Sequence, residues 1–166
     1  IPTSVKNFSR YNFEDVVNIE LFTNKTVYGD SGWYGCVNAD DLKNFKIANE
    51  TAITPYNFIN SGAKWIYVFV KSNTNHFVGS SDLLKTFRVK TGDDILIPCR
   101  PTSPYFEIKL TKDEQGIKLN ERINFDPKRG FEIKNADLKD NGFYQCIIKV
   151  DYQALSYYVH VARKQL

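Results

Sequence analysis

An all-β chain of two tandem sandwiches is predicted by three features of the sequence. The first is a repeated motif: Asp30-Ser31-Gly32-Trp33-Tyr34-Gly35-Cys36 and Asp140-Asn141-Gly142-Phe143-Tyr144-Gln145-Cys146 both read D-x-G-aromatic-Y-x-C. The second is two-residue alternation of apolar side chains in runs of strand length, as in Ile95, Ile97 and Cys99. The third is an aromatic content of 14%, of the kind that pleated strands accommodate well.

Each element of the repeated motif has a mechanical role. The Asp sits in the turn before a strand, and the Gly lets the chain turn tightly into it. The Tyr, two residues before the Cys, is placed to bond back to upstream backbone, a tyrosine corner. The Cys points inward, on the same face as the Tyr, to bridge two sheets. Two copies, each followed by a strand-like run, predict two immunoglobulin-like domains. The boundaries read as residues 1–71, a linker over 72–82, and 83–166.

The second domain is readable almost whole. Leu83 to Lys90 is the first strand, and Thr91-Gly92-Asp93 turns the chain. Asp94 to Cys99 is the second strand and Phe106 to Lys112 the third, with Phe106, Ile108 and Leu110 alternating inward. Arg122 to Phe125 and Phe131 to Ile133 are the fourth and fifth, Phe143 to Val150 carries Cys146, and Leu155 to Val161 closes the domain. Cys99 and Cys146 then lie on facing strands, and a bridge there stabilises by roughly 2–4 kcal/mol. Leu110 stands where most immunoglobulin domains carry a Trp. Arg122 and Asp140 have the spacing of an ion pair that closes one end of such sandwiches.

The first domain is shorter than its fold requires. Val16 to Phe22 and Gly62 to Val70 read as strands flanking the tyrosine corner. Nothing remains to supply the first strands or a partner for Cys36, so the domain reads as incomplete at its N-terminus, with that partner upstream of Ile1; a free or intermolecular Cys36 is the alternative. Sequons stand at Asn7, Asn24 and Asn49, all in the first half. With a disulfide, they indicate the secretory route and an oxidising compartment.

Charge and motif content narrow the function classes. A net charge of +3 is too small for a nucleic-acid stripe. No run approaches the roughly 20 apolar residues of a membrane span. Three separated cysteines, with His76 in the linker and His160 facing solvent on the last strand, make no metal-ligand cluster. No nucleophile elbow or phosphate-binding glycine loop is present. No catalytic residue, metal or cofactor is predicted. Lys109, Lys112, Lys118, Arg122, Lys128 and Arg129 cluster in sequence. They make heparan sulfate a candidate partner, although interspersed acids favour an ordinary solvated surface.

Several blocks resemble one family. Ile97-Pro98-Cys99-Arg100-Pro101-Thr102-Ser103-Pro104 looks like the I-P-C-R-x-T-S-P segment in the second domain of VEGF receptors. Phe125-Asp126-Pro127-Lys128-Arg129-Gly130-Phe131-Glu132-Ile133 is similar to their W-D-x-R/K-K/R-G-F-x-I segment, and Ile66 to Val70 resembles the strand ending their first domain. That second domain also carries Leu in place of the usual Trp. The resemblance is to the PDGF/VEGF receptor family, in a distant form for which an invertebrate member is one candidate, and covers about residues 62 to 150.

The resemblance implies the ectodomain of a single-pass receptor at the cell membrane. It implies that a dimeric cystine-knot growth factor binds and pairs two receptors into a homodimer, with a tyrosine kinase elsewhere in the protein. By aligned position the ligand patch is Leu83, Leu84, Leu138 and Phe143. Asp113 stands where the family has a bulky apolar residue. A second reading stays open: an adhesion or guidance protein that binds another immunoglobulin-like protein.

Overall fold

A computed structural model describes residues 5–13, 16–23, 25–36, 54–56, 63–79 and 84–164. The chain divides into two compact units, Ile1–Val70 and Lys71–Leu166.

In the first unit, β1 (Val5–Phe13) and β2 (Val16–Thr23) form an antiparallel hairpin, with Phe13 opposite Val16. The strand β1 was not legible in the sequence, because its apolar residues are broken by Asn and Arg and show no clean alternation. A short 3-10 turn, Tyr28–Asp30, leads into β3 (Gly32–Cys36), which pairs antiparallel with β4 (Lys64–Val68). The Tyr34 hydroxyl donates to the Asp30 carbonyl at 2.7 Å, and the Val27 N–H donates to the Asp30 carboxylate at 2.9 Å. Trp33 packs edge-on against Tyr56 and Tyr67, with ring centroids 5.7 and 5.2 Å away. The face shared by Tyr34 and Cys36 is different: Ile66, opposite Tyr34, is 63% exposed. Cys36 is exposed and bonded to no described cysteine.

The second unit is a closed two-layer sandwich. Its strands are β5 (Lys85–Lys90), β6 (Ile95–Ile97), β7 (Ile108–Lys112), β8 (Gln115–Gly116), β9 (Ile123–Asp126), β10 (Gly130–Ile133), β11 (Gly142–Ile148) and β12 (Ala154–Ala162). One sheet has the order β6-β10-β9, the other β5-β12-β11-β7-β8. All pairings are antiparallel except β5 with β12. Inward side chains alternate as the pleat demands: Ile95, Ile97, Phe131 and Ile133 from one sheet meet Leu110, Tyr144, Cys146, Ile148, Leu155, Tyr157, Val159 and Val161 from the other. Burying each large aliphatic side chain contributes about 1.5–3 kcal/mol.

The disulfide Cys99–Cys146 joins the layers, with Cα atoms 6.1 Å apart and both residues fully buried. Leu110 lies opposite Cys146 in register and is also buried. It therefore fills core volume beside the disulfide where a Trp stands in most such domains. Gly130 is required where β10 begins, because a Cβ there would sit 2.1 Å from the Ile97 carbonyl oxygen, and its φ is +121°.

Within the segment read as a linker, residues 72–79 pack on the second unit. Phe77 is buried in the sandwich core and bridges to Pro101. The His76 carbonyl accepts the Thr102 N–H at 2.9 Å, and the Val78 N–H donates to the Arg100 carbonyl at 2.9 Å. The Gln153 side chain clasps the same segment, accepting from the His76 N–H at 2.8 Å and donating to the Thr74 carbonyl at 2.6 Å. His76 is thus a buried residue tilted against Phe106, ring centroids 4.8 Å apart. The cause is a tertiary clasp from a residue 77 positions downstream, which no local pattern announces.

The tyrosine corner of the second unit is directly testable. Its hydroxyl donates to the Asp140 carbonyl at 2.9 Å from a buried position. Tyr144→Phe is expected to lower stability by about 1–2 kcal/mol, since the buried carbonyl keeps its desolvation cost without its partner. Urea unfolding of the whole chain measures this, and an unchanged midpoint would mean the corner is decorative.

Candidate functional site

The turn between β10 and β11 organises one end of the sandwich. Leu138–Asp140 form a 3-10 turn. The Asp140 carboxylate receives both Nη atoms of Arg122, at 3.1 Å for Nη1–Oδ1, and the Asp137 N–H at 2.7 Å. Arg122 immediately precedes β9 and also donates to the Asn135 carbonyl at 3.2 Å. One buried carboxylate therefore ties the two sheets to the turn. Burial opposes its ionisation, but the Arg122 guanidinium and the Asp137 N–H prevail and hold the carboxyl below its ordinary range. Burial, followed by the charge of Asp140, keeps the Tyr144 phenol protonated well above its usual value.

The candidate binding residues distribute unevenly around this turn. Phe143 lies on β11 and faces away from the core, next to the buried Tyr144. Leu138 is in the turn itself and 39% exposed. Leu84, just before β5, is 58% exposed. Leu83 lies outside the described residues. Of the sequons, Asn7 falls on β1, while Asn24 and Asn49 are outside the described residues.

Register adds a residue that the sequence reading missed. Phe143 is directly opposite Tyr158 on β12, and Tyr158 is opposite Thr86 on β5. Phe143, Tyr158 and Thr86 thus form one row across three adjacent strands, with Leu84 two residues before Thr86. Tyr158 is 41% exposed, and cross-strand aromatic pairs of this kind are stabilising. The Tyr157-Tyr158 alternation was the available signal, since one of the two had to face outward.

Phe143 is also held from the opposite side. Asp113, in the β7–β8 turn, donates its N–H to the Phe143 carbonyl at 2.8 Å, and its Oδ1 accepts the Phe143 N–H at 2.9 Å. A Cβ at Gly142 would sit 2.7 Å from Asp113 Oδ2, so the small residue makes room for this carboxylate. Asp113 and Glu114 have φ of 46° and 67°, the geometry of a tight hairpin. Lys112 Nζ reaches the Lys139 carbonyl, joining this hairpin to the Asp140 turn. Among the described residues no group of acidic, His and Cys side chains assembles a metal site.

The facing sheets joined by a disulfide, the tyrosine corner and the parallel β5–β12 edge define an immunoglobulin-like sandwich. Residues 85–161 match the family described as vascular endothelial growth factor receptor 1-like, Ig-like domain, and this likeness supports an Ig-like region of PDGF/VEGF receptor type. The chain is 36% identical over 101 residues to vascular endothelial growth factor receptor 1 of Rattus norvegicus, covering 57% of this chain and 8% of that receptor. It is 26% identical over 153 residues to macrophage colony-stimulating factor 1 receptor of Danio rerio, covering 90% of this chain and 14% of that one. The chain thus spans only a small part of these relatives. Among solved structures, an Ig-like domain from human cDNA superimposes with a TM-score of 0.48 at 18% identity, covering 55% of this chain and 81% of that one. Such a region is extracellular or at the cell surface. No helix among the described residues is long and apolar enough to cross a membrane.

The Asp140 ion pair makes stability depend on pH with a definite sign. A carboxyl whose folded pKa is depressed contributes stability that is complete above its unfolded value of about 4 and is lost as pH falls through the folded value. The urea midpoint of the chain is expected to drop as pH falls below about 4, and Asp140→Asn is expected to make that drop shallower. Equal slopes for the two proteins would show that this pair contributes nothing to acid sensitivity.

Proposed function

We propose that the second unit binds a dimeric cystine-knot growth factor as part of a PDGF/VEGF-type receptor, and that binding pairs two receptors. The row of Phe143, Tyr158 and Thr86, with Leu84 beside it and Leu138 in the adjoining turn, is the contact surface. The observation that carries this reading is the exposure of Leu84, Leu138 and Tyr158 around a half-buried Phe143 beside one rigidly tied turn. Exposed apolar clusters rimmed by polar groups mark protein interfaces, and aromatic anchors supply much of their affinity. The relatives are by name receptors for a vascular endothelial growth factor and a macrophage colony-stimulating factor, and their names support a secreted protein ligand.

On this reading the piece binds and does not catalyse. The first unit is an immunoglobulin-like domain glycosylated at Asn7, Asn24 and Asn49, with Cys36 bonded to a cysteine outside residues 1–166. Its D-x-G-aromatic-Y-x-C corner supports this, since the same corner in the second unit ends in a buried disulfide.

The test is a pull-down of secreted proteins on the recombinant chain, with mass spectrometry of what is retained. A cystine-knot dimer is the expected catch. Phe143→Asp is expected to weaken its binding at least about tenfold, the effect of removing one anchor residue. Undiminished capture by that variant would remove the surface. Retention of immunoglobulin-like proteins instead would favour an adhesion role.

A further inference from the structure

A second feature at the same end of the sandwich is polar. A cleft of about 540 Å³ is lined by Thr91, Gly92, Arg122, Asn135, Lys139 and Lys164, together with Asp137 and Ala136. Its walls come from four separate segments that hydrogen bonds lock together. The Gly92 N–H donates to the Ala136 carbonyl at 2.9 Å, and the Ala136 N–H to the Asp93 carbonyl at 2.8 Å. The Lys134 N–H donates to the Arg122 carbonyl at 2.9 Å, and the Lys164 N–H to Thr91 Oγ1 at 3.1 Å. A cleft braced in this way loses little conformational entropy when a ligand enters.

Its charge points to an anion. Three cationic side chains line it against one carboxylate, Asp137. Asp137 is only 3.7 Å from Lys139 Nζ, but both side chains are largely exposed. Such surface pairs are weak, and Lys139 turns toward a stronger anion at little cost. Arg122 is neutralised by Asp140, yet described groups engage only three of its five N–H donors. Gly92 leaves its side of the cleft open, with nothing within 4 Å of where a Cβ would be. Lys90, Lys134 and Arg163 are exposed nearby in sequence, against Asp93 and Asp94. The site is therefore moderately basic, and suits repeated anionic groups better than a single ion. Of the six cations that cluster in sequence, only Arg122 lines it; Arg129 instead pairs with Glu132 at 3.2 Å.

We propose that this cleft binds a sulfated glycosaminoglycan segment through Lys139, Lys164 and the remaining donors of Arg122. A polymer of regularly spaced sulfates fits an open groove with cations on separate walls. The extracellular or cell-surface location places that chemistry within reach. The proposal stands apart from the growth-factor surface, because none of its contacts is Phe143, Tyr158 or Leu84. The Asp140 turn contributes to both, with Lys139 on the cleft and Leu138 beside it in sequence.

The experiment uses the whole chain on immobilised heparin, eluted with a salt gradient, and size-defined heparin oligosaccharides in solution. Lys139→Glu combined with Lys164→Glu is expected to elute at lower salt and to bind the oligosaccharides roughly tenfold more weakly. Both side chains are exposed, so the fold is expected to persist, checked by an unchanged unfolding midpoint. Lys109→Glu combined with Lys118→Glu makes the same change in net charge away from the cleft, and is expected to stay within about twofold of the parent. Desulfated heparin is expected not to bind, and Phe143→Asp is expected to bind heparin normally. Flow-through of the parent chain at physiological salt would overturn the proposal. So would equal weakening by the two double variants, which would reduce the effect to net charge.

Discussion

The carboxylate of Asp140 is the constraint on which the second unit depends. It stands where the two sheets come closest to sharing a turn. One oxygen system receives the guanidinium of Arg122, from the mouth of β9, and the N–H of Asp137. The carbonyl of the same residue receives the hydroxyl of Tyr144 from β11. A single residue thus sets the position of the end of one sheet, the entrance of the other, and the 3-10 turn between them. The proposed growth-factor surface and the polar cleft both use side chains from this turn. Their geometry follows from a polar knot, since an exposed turn without one would fray and could not present Leu138 or Lys139 at fixed places.

The first unit shows how much of this device is local. Asp30 closes the same 3-10 turn on the Val27 N–H and accepts the Tyr34 hydroxyl at nearly the same distance as in the second unit. What the corner does not create is the opposing sheet. In the second unit, the strand opposite β11 on its inner face contributes Tyr157 and Val159, both buried under β6 and β10. In the first, the corresponding positions are Ile66 and Val68, both exposed. The corner's hydrogen bonds are thus local, while burial of its inner face depends on long-range packing.

That distinction explains what was legible in the sequence. The tyrosine corners, the alternating strands of the second unit, the Cys99–Cys146 bridge and the Arg122–Asp140 pair all rest on short motifs or on the strict period of a half-buried strand. Leu83, Leu84, Leu138 and Phe143 rest on aligned position; of the three described ones, Leu84 and Leu138 are exposed and Phe143 is half-buried, which leaves their role untested. The features that escaped were those made by residues distant in sequence. His76 and Phe77 sit in a polar stretch, S-N-T-N-H-F, whose one large apolar residue gave no periodicity, and Gln153 clasps it from the far end of the chain. Tyr158 became a neighbour of Phe143 only through register, which alternation alone does not supply. The cleft cations come from three loops, so clustering in sequence picked out five of six residues that lie elsewhere.

Asp113 stands where the resemblance implies a bulky apolar residue, and its geometry changes what that difference means. A bulky apolar residue in that turn would enlarge the greasy surface around Phe143. The carboxylate instead fastens the Phe143 backbone through two reciprocal hydrogen bonds, each within the normal range. A half-buried aromatic whose backbone is fixed by this hairpin and which lies opposite Tyr158 in register loses little freedom on binding. The substitution exchanges contact area for rigidity and leaves one acidic oxygen at the rim. A partner selected by such a surface meets a smaller apolar core bordered by charge, where electrostatics govern encounter and discrimination more than total affinity.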